Sequence, residues 1–188
     1  MRIVEAEVSD APELAYTVME AVGMDLSEGF AGEHKLEEVK DLFTALSARE
    51  DSQYSWKNAL KAIDDEGHPM GFIIGYDGAR LYELRKAFMD LAKERLGYEF
   101  PGGLKDETDP SEFYLDSLAV YPQYRGQGVG AALINAMAQR AKSIGKPLGL
   151  LCDKTNDRAR RLYEHLGFKK IGERPFAGEM MDHMMREA

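Results

Sequence analysis

The order of apolar and polar residues along the chain predicts strands and helices in one α/β domain over residues 1–188. Strands are predicted where apolar residues alternate with polar ones or run together: 2–8, 54–63, 70–76, 113–120, 148–152, 168–172 and 180–186. Helices are predicted where apolar residues recur three and four positions apart: 11–22, 33–49, 79–96, 129–144 and 156–166. No internal repeat is present, which favours one domain with a mixed sheet.

Turn and loop signals separate these elements. Residues 64–69, Asp-Asp-Glu-Gly-His-Pro, stand between two strand patterns and predict an antiparallel hairpin over 54–76. Residues 98–111 are polar and contain both glycine and proline, which predicts a loop. Gly23 and Gly97 follow two helix patterns and predict where those helices end.

The composition is that of an ordinary soluble domain, with 44% apolar and 30% charged residues. No apolar run approaches the ~20 residues that a membrane span needs, and the N-terminus does not resemble a secretory signal. The single cysteine, Cys152, cannot form an internal disulfide, and the four histidines lack the spacing of metal ligands. We therefore expect a cytoplasmic protein with no metal site and no membrane partner.

Charge is unevenly distributed along the chain. The formal net charge is −9, but residues 123–174 hold 11 Lys and Arg against 4 Asp and Glu. The remainder carries −16, which argues against general electrostatic binding of nucleic acid. The basic segment suggests a site for a small polyanion, and a basic helix pair on a solvated surface explains it equally well.

The most informative stretch follows the fourth predicted strand. A short arm leads to Arg125 and to three alternating glycines, Gly126, Gly128 and Gly130, which open the helix pattern of 129–144. Glycines let the backbone come close to a ligand, and the free amides of a helix N-terminus bind phosphate oxygens. Arg125 adds a fixed positive charge. The stretch predicts a phosphate site, and a plain glycine-rich turn is one alternative.

A dinucleotide-binding fingerprint is a second alternative, because Gly126-x-Gly128-x-x-Ala131 satisfies its formal pattern. Its position along the chain argues against this interpretation. Five residues separate Val120 from Gly126, and only 35 residues follow Asp153, the acid available for a ribose. This length leaves little room for a doubly wound sheet, so a nicotinamide-dependent oxidoreductase is disfavoured.

The glycine turn and its surroundings resemble a known family. Arg125-x-x-Gly128-x-Gly130 resembles the pyrophosphate-binding motif of the GNAT superfamily of N-acetyltransferases. Three further segments resemble blocks of that family at suitable spacing: 116–122, 156–168 and 183–185. The resemblance fails over 78–111, which we expect to be a helical and loop insertion between the third and fourth strands. It implies a mostly antiparallel sheet of about six to seven strands, flanked by helices and splayed between strands 4 and 5.

The resemblance also implies how the chain binds a co-substrate, acetyl-coenzyme A (acetyl-CoA). One run of backbone amides would hold the pyrophosphate: Arg125, Gly126, Gln127, Gly128, Val129 and Gly130. The pantetheine arm would pair, as if it were an added strand, with the strand segment Leu118, Ala119 and Val120. Asn156 would hydrogen-bond this arm. Arg161, one of three clustered arginines, would face the phosphates. For each of the three, the alternative is a location on the solvent-exposed face of the helix without a role in binding.

Two residues are the candidates for the chemistry. By the resemblance, Tyr163 lies near the sulfur and protonates the leaving thiolate, whereas its spacing alone favours a core aromatic residue. Asp116 lies on the fourth strand, where side-chain alternation places it on the face of Leu118 and Val120. There it can accept the proton of the amine, directly or through water, or it can be a strand-edge carboxylate bound to a neighbour.

Three other residues are weaker candidates. Glu83 and Glu112 could serve as a base, although enzymes of this type can work without one because part of the amine is already neutral. Cys152 ends a predicted buried strand, and no histidine is spaced along the sequence so as to suggest that it activates this thiol. It is therefore expected to be a small core residue rather than a nucleophile.

The acceptor is predicted only as a class. The acidic remainder of the chain favours a cationic amine, on a small molecule or a peptide. Residues 23–35, with Asp25, Glu28 and Phe30, and the segment 78–111 are candidates for acceptor contacts. A surface loop without a role is the alternative for the first of these segments. Dimers are common among similar enzymes, so a homodimer is a candidate assembly.

Two functions of different classes follow from these observations. The first is an acetyl-CoA-dependent N-acetyltransferase that transfers an acetyl group to a primary amine by direct attack on the thioester. The alternative is a non-catalytic sensor module that binds acyl-CoA. Such a module would need the glycine turn but not Tyr163, so the presence of both favours the enzyme.

Overall fold

The computed structural model describes residues 1–23 and 35–187 of the chain. Within these residues it has seven strands: β1 (Arg2–Glu5), β2 (Ala59–Ile63), β3 (Pro69–Asp77), β4 (Phe113–Val120), β5 (Leu148–Cys152), β6 (Lys169–Phe176) and β7 (Glu179–Arg186). The same residues form five α-helices: α1 (Ala11–Val22), α2 (Leu36–Ser47), α3 (Leu81–Leu96), α4 (Val129–Ser143) and α5 (Asp157–His165).

All seven strands belong to one sheet in the order β1-β2-β3-β4-β5-β7-β6. Neighbouring strands are antiparallel except for β4 and β5, which are parallel. The chain passes from β4 to β5 through α4, since parallel strands need a long crossover. The predicted fold class, a mixed and mostly antiparallel sheet with flanking helices, is confirmed.

Helices cover both faces of the sheet. One face packs against α1, α2 and α3 through the following buried residues: Leu14, Val18, Leu42, Leu46, Phe72, Ile74 and Phe88. The other face packs against α4 through a second set of buried residues: Ile73, Phe113, Leu115, Leu133, Ile134, Met137 and Leu148. Successive residues of β3 enter opposite cores, which is why this central strand is a continuous apolar run.

Three strands differ from their predictions by three residues or more. Strand β1 ends at Glu5 instead of residue 8, because Val8–Asp10 form a short 3-10 helix that leads into α1. Residues 54–58 are not extended, because Ser55 Oγ accepts a hydrogen bond from the backbone N–H of Lys57 at 3.2 Å and caps a short 3-10 helix. Strand β6 extends to Phe176 instead of ending at residue 172, because it pairs with β7 through a two-residue turn. Both turn residues, Ala177 and Gly178, have positive φ, as the tightest hairpin turns require.

Residues 78–111 lie between β3 and β4 and contain α3 and a long loop. Gly78 begins the segment at a point of close backbone contact, because a Cβ there would overlap the carbonyl oxygen of Asp109. The N–H of Gly78 also donates to the carbonyl of Glu112 at 3.0 Å, which closes the segment at its base. That the segment is an insertion relative to the family stays a prediction.

Residues 24–34, which carry the predicted acceptor contacts Asp25, Glu28 and Phe30, lie outside the described residues. In the part of the chain that is described, no helix is both long and apolar enough to cross a bilayer. Across the same residues, no three His, Cys, Asp or Glu side chains come together in a way that could hold a metal ion.

Candidate active site

The glycine turn connects β4 to α4 and has an open concave backbone. Gly126 and Gly128 have φ angles of 78° and 82°, in the left-handed region that favours glycine. A Cβ at either position would meet no atom within 4 Å, so the space above both residues is free. Gly128 is the N-cap residue of α4, whose first N–H groups have no partner within the helix. This geometry suits an anion such as a pyrophosphate.

Strands β4 and β5 are paired at only one end. Their ladder covers Phe113 with Leu148 and Tyr114 with Gly149, at the start of both strands. Beyond these residues the two strands diverge toward the glycine turn, as the predicted splay requires. A gap therefore opens in the middle of the sheet.

Backbone groups of β4 line this gap. On the β3 side, the N–H of Tyr121 donates to the carbonyl of Met70 at 3.0 Å, which marks a hydrogen-bonded pair. Hydrogen-bonded and non-hydrogen-bonded pairs alternate along an antiparallel ladder. Leu118 and Val120 therefore direct their N–H and C=O groups away from β3 and into the gap, where an extended ligand could pair with them.

A cavity of about 520 Å³ occupies the gap, and we call it the basic cavity. It is lined by most of the residues that were predicted to bind the co-substrate: Leu118, Ala119, Val120, Arg125, Gly126, Gly128, Val129, Gly130 and Asn156. Two arginines, Arg125 and Arg158, supply positive charge to its wall, and two carboxyl groups, Glu20 and Asp116, also line it. The cavity thus combines an anion cradle with a strand edge.

Arg125 is engaged by two groups of the protein. Its guanidinium pairs with Glu20 of α1 at 2.7 Å, and its Nε donates to the carbonyl of Val120 at 3.0 Å. These contacts connect α1 to the arm before the glycine turn. A phosphate arriving at the turn would compete with Glu20 for the same cation.

Two predicted co-substrate residues do not line the basic cavity with their side chains. Arg161 is exposed on α5, and Arg158 lies on the cavity in its place. Residues three apart lie on nearly the same face of a helix, so the spacing of Arg158 and Arg161 along the sequence could not show which of them reaches the cavity. The Gln127 side chain donates to the carbonyl of Gln123 at 2.9 Å, and Gln127 is not among the residues that line the basic cavity.

Asn156 stands at the N-terminus of α5 and lines the gap. Its Oδ1 accepts a hydrogen bond from the N–H of Ala159 at 3.0 Å and so caps the helix. Because the oxygen is used by the cap, the NH₂ group of the same side chain is the part available to a ligand.

Tyr163 lies on α5, half-buried, with its ring against Phe168 at a centroid distance of 5.7 Å. Burial raises the pKa of its phenol to about 12, so the hydroxyl stays protonated at neutral pH. Within residues 1–23 and 35–187 no hydrogen-bond partner of this hydroxyl is found, and the residue borders the gap. The hydroxyl is therefore available to donate to a ligand.

A β-bulge in β4 sets the direction of Asp116. The ladder with β3 skips this residue, which is the extra one in the bulge. Its carboxylate accepts hydrogen bonds from Gln53 Nε2 at 3.3 Å and from Ser117 Oγ at 2.7 Å, on the side of the sheet covered by α1 to α3. Leu118 and Val120 pack on the opposite face, under α4. The predicted shared face is wrong, because a bulge shifts side-chain alternation by one residue.

The surroundings of Asp116 alter its acidity. Burial, and next the charge of Glu107, raise the pKa of its carboxyl group to about 7, against hydrogen bonds from Ser117 and Gln53 and the charge of Arg85. A group with a pKa near neutrality can both hold and release a proton under working conditions, as a general base requires.

A second cavity of about 580 Å³, which we call the acidic cavity, adjoins the basic one. The two share a wall formed by seven residues: Glu20, Ala21, Asp116, Leu151, Asn156, Ala159 and Tyr163. Four carboxylates line the acidic cavity, and no lysine or arginine of the described residues does so: Glu20, Asp116, Asp153 and Glu179. Asp116 and Tyr163 thus stand where a basic space meets an acidic one.

The weaker candidates for catalysis lie outside the two cavities or have an unfavourable acidity. Glu112 is fully buried and bound to His183 Nε2 at 2.8 Å, and Glu83 is exposed and paired with Arg80 at 2.8 Å. Neither residue lines the two cavities. Cys152 lies on the acidic cavity, but burial raises the pKa of its thiol, which disfavours the thiolate that a nucleophile needs.

Three groups around Asp116 carried no signal in the sequence. Glu20 lies at the end of α1, Gln53 in the turn before β2, and Glu107 in the loop before β4. None belongs to a recognisable motif, and only the folded chain brings the three segments together.

The chain matches the family model described as "Acetyltransferase (GNAT) family" over residues 23–168. With the splayed sheet and the glycine turn, this match establishes the class of protein. The chain belongs to the GNAT acetyltransferase family, a family of N-acetyltransferase enzymes. The resemblance seen in the sequence is confirmed, and the dinucleotide-binding alternative is wrong because its parallel doubly wound sheet is not formed here.

Two relatives show how far the similarity extends. The chain is 32% identical over 114 residues to an acetyltransferase of Agrobacterium fabrum, which covers 61% of this chain and 78% of the relative. It is 40% identical over 68 residues to an uncharacterised protein of Mycobacterium leprae, which covers 36% of this chain and 18% of that protein. The match to the second relative therefore covers less than a fifth of that protein's length.

Solved structures share the whole fold. A crystal structure of an acetyltransferase matches with a TM-score of 0.82 at 27% identity, over 100% of this chain and 99% of that one. An N-acetyltransferase from Staphylococcus aureus Mu50 matches with a TM-score of 0.85 at 22% identity, over 98% of this chain and 100% of the other. The second similarity concerns the fold alone.

Proposed function

We propose that this chain is an acetyl-CoA-dependent N-acetyltransferase that transfers an acetyl group to a primary amine by direct attack on the thioester. The observation that carries the proposal is the meeting of a basic and an acidic cavity at Asp116 and Tyr163. A polyanionic acyl donor suits the first cavity, and a cationic amine suits the second.

The acyl donor is proposed to bind along the basic cavity. The glycine turn offers open backbone amides to the pyrophosphate, and Arg125 and Arg158 add positive charge. The backbone groups of Leu118 and Val120 would pair with the amides of the pantetheine arm, and the Asn156 NH₂ group would donate to it. The thioester would then lie between Asp116 and Tyr163.

Asp116 is proposed to act as the general base. In its ionised form it accepts a proton from the ammonium group of the acceptor, which leaves a neutral amine with a free electron pair. The amine nitrogen then bonds to the thioester carbon, and the bond from that carbon to sulfur breaks. The N–H of Leu118, directed into the gap, is placed to stabilise the carbonyl oxygen as it gains charge.

Tyr163 is proposed to donate a hydrogen bond to the leaving sulfur. With a pKa of about 12 the phenol is a much weaker acid than a thiol, whose pKa is ≈ 8.5, so full proton transfer to the thiolate is unfavourable. A hydrogen bond to the forming thiolate still stabilises it. This role replaces the proton donation expected from the sequence, and the thiolate takes its proton from the nitrogen of the product or from water.

The acceptor is proposed to be a cationic amine. Four carboxylates line the acidic cavity, and its volume of about 580 Å³ admits a small molecule or the side chain of a peptide. Phe176 and Tyr114 on the same wall provide apolar surface for the methylene groups of such an amine. The nitrogen would reach the thioester beside Asp116.

Calorimetric titration with acetyl-CoA, followed by a free-thiol assay over a panel of amines, tests this function. We expect saturable binding near one to one, and release of thiol with amines of at least one positive charge but not with their neutral analogues. Binding without thiol release on any amine would favour the acyl-CoA sensor instead. Failure of acetyl-CoA to bind would remove the proposal altogether.

Assembly and location remain separate proposals. A homodimer is proposed by analogy with similar enzymes, and a cytoplasmic location from the cysteine content. Sedimentation of the purified chain at several concentrations would test the first, and fractionation of the source cells the second.

A further inference from the structure

A buried polar cluster lies directly behind Asp116, on the side away from the cleft. Gln53 Nε2 donates to Asp116 at 3.3 Å and to Glu107 Oε1 at 3.4 Å, so one amide group bridges two carboxylates. Glu107 also accepts a hydrogen bond from the hydroxyl of Tyr76 at 3.0 Å and pairs with Arg85 at 3.2 Å. All four partners of this network other than Asp116 itself are less than a tenth exposed.

Arg85 fastens the cluster to the segment between β3 and β4. Its guanidinium donates to the carbonyls of Leu104 and Lys105 at 3.3 Å and 3.1 Å, and it pairs with Asp106 at 3.2 Å. The loop that carries Glu107 is therefore held by a buried cation of α3. Residues 78–111 thus deliver one carboxylate to a fixed position behind the active site.

We propose that Glu107 is a positioning residue for Asp116: the Gln53 amide that it holds orients the carboxyl group at the cleft, and its own charge favours the protonated form of that group. This inference rests on the proposed function, in which Asp116 is the base. It adds a role for the segment 78–111, which supplies a residue that acts on the chemistry without touching substrate.

The orientation of Gln53 supports this role. Its NH₂ group serves both carboxylates, while its Oε1 is buried without a hydrogen-bond partner within the described residues. An unpaired buried oxygen is destabilising because it has given up its hydrogen bonds to water, so packing alone would not favour this residue here. The bridge explains this cost, because the Gln53 amide holds the carboxyl groups of Asp116 and Glu107 in one geometry.

Titratable groups face Asp116 from every element around it: Tyr54, Tyr76, Arg85, Glu107 and Tyr114 on the buried side, and Glu20, Cys152, Asp153 and Tyr163 along the cleft. Burial raises the pKa values of the three tyrosines on the buried side well above the usual 10, so they are neutral. The charges behind Asp116 are thus those of Glu107 and Arg85. Burial raises the pKa of Glu107, against the charge of Arg85 and the hydrogen bond from Tyr76, and in its ionised form its charge opposes ionisation of Asp116.

The signs of the expected effects distinguish this role from mere packing. Glu107→Gln removes a negative charge and should lower the pKa of Asp116, whereas Gln53→Met removes a hydrogen bond to the carboxylate and should raise it. A purely structural defect would move both variants in the same direction or neither. Glu99→Gln, in the same segment but exposed and paired with Lys93, is the matched control.

The test is a ¹³C NMR titration of Asp carboxyl groups, with the Asp116 signal assigned by its loss in Asp116→Asn. We expect the midpoint to fall by about one pH unit in Glu107→Gln, to rise in Gln53→Met, and to stay in place in Glu99→Gln. The acidic limb of the kcat/KM profile should move with each midpoint. An unchanged or raised midpoint in Glu107→Gln would overturn the inference, and so would an unchanged or lowered one in Gln53→Met.

The NMR readout separates this inference from the proposed function. If the chain has no transferase activity, or if Asp116→Asn keeps it, the function fails while the titration still decides the coupling. If Glu107→Gln does not fold, Tyr76→Phe decides it: loss of the hydrogen bond to Glu107 raises the pKa of Glu107 and weakens its charge, so the midpoint of Asp116 should fall, and an unchanged or raised midpoint would overturn the inference.

Discussion

Two side chains at the centre of the cleft differ in how they hold protons. The pKa of Asp116 lies near 7, and that of Tyr163 near 12, chiefly because both groups are removed from water. For the acid, burial makes the neutral form accessible at neutral pH, and for the phenol it makes the neutral form permanent. One group is thus suited to accept a proton and the other only to donate a hydrogen bond.

Replacement of Tyr163 by Phe should lower kcat by about 10- to 100-fold, because a hydrogen bond to a charged group contributes ≈ 1.5–3 kcal/mol. The KM for acetyl-CoA should hardly change, because the hydroxyl interacts with the sulfur only as charge develops. Steady-state kinetics would measure both constants. Tyr82→Phe, at an exposed position, is the control, and wild-type kcat in Tyr163→Phe with chemistry rate-limiting would remove the assigned role.

Replacement of Asp116 by Asn should lower activity but raise stability at alkaline pH. The folded pKa of Asp116 is above its unfolded value of ≈ 3.9, so the folded state binds more protons between about pH 4 and 7 and loses stability as pH rises. The penalty is complete above pH 7 and amounts to at most about 4 kcal/mol for a rise of about three pH units.

Melting temperatures of this variant at pH 5 and pH 8 would measure the effect. We expect Asp116→Asn to melt above the wild type at pH 8 and close to it at pH 5. The exposed Asp41→Asn should match the wild type at both values. If the variant and the wild type differ in melting temperature by the same amount at both pH values, the pKa of Asp116 is not raised in the folded state.

At the scale of elements, two irregularities of β4 create the site. The bulge turns Asp116 to the face opposite its predicted one, and the parting from β5 exposes the backbone of Leu118 and Val120. The glycine turn follows directly, so the strand edge and the start of α4 share one gap. Regular pairing along β4 would have closed this gap with hydrogen bonds.

Two glycines at opposite ends of α4 allow a matched test of the turn. Gly128 and Gly145 both have positive φ and open space around them, so aspartate strains the backbone at both positions. Gly128→Asp should abolish binding of coenzyme A, because a carboxylate enters the anion cradle. Gly145→Asp should retain binding of coenzyme A. Of the two variants it should be the less stable, because a negative charge near the C-terminus of a helix is unfavourable.

Calorimetry with coenzyme A on both folded variants would measure this difference. Circular dichroism would first establish that each variant is folded. Wild-type affinity in Gly128→Asp, or equal loss in both variants, would contradict a phosphate site at the glycine turn.

At the scale of the whole molecule, two parts of the sheet meet along a short junction. Four strands lie on one side of the gap and three on the other, and β4 and β5 join them beside Glu112. This carboxylate is buried, accepts from Thr108 Oγ1 at 2.6 Å and binds His183 of β7. The junction therefore combines a short ladder with a buried polar contact.

Gly149 of β5 makes this junction possible, because a Cβ there would overlap the Glu112 carboxylate. Gly149→Ala should lower the free energy of unfolding by about 1–3 kcal/mol, or more if the carboxylate loses its partner. Urea unfolding would measure the loss. Gly172→Ala, with no atom near its Cβ, should leave stability almost unchanged, and equal stability of both variants would disprove the tight contact.

The charge asymmetry of the sequence has two explanations in the folded molecule. Arg125 and Arg158 of the basic segment line the gap, as a polyanion site requires. Others are neutralised by the acidic remainder: Arg140 pairs with Glu5, and Arg160 pairs with Asp182 at 2.6 Å. The basic segment therefore contains arginines of two kinds, those that line the gap and those that pair with acids elsewhere in the chain.

By itself the sequence determined the order of elements, the family and the glycine turn. These properties depend on local patterns: apolar periodicity defined β4, β5 and α4 to within a residue, and glycines with a neighbouring arginine marked an anion site. Local signals failed where a capped turn replaced the start of β2 and where a two-residue hairpin extended β6.

Only the tertiary structure decided which groups surround Asp116 and which arginine faces the gap. A bulge depends on how β4 registers with β3, and no pattern within β4 reveals it. Gln53, Glu107 and Glu20 come from three segments without a motif and meet only when the sheet and its helices pack. Local sequence specifies backbone conformation, whereas the acidity of a buried carboxyl group depends on neighbours that are distant along the chain.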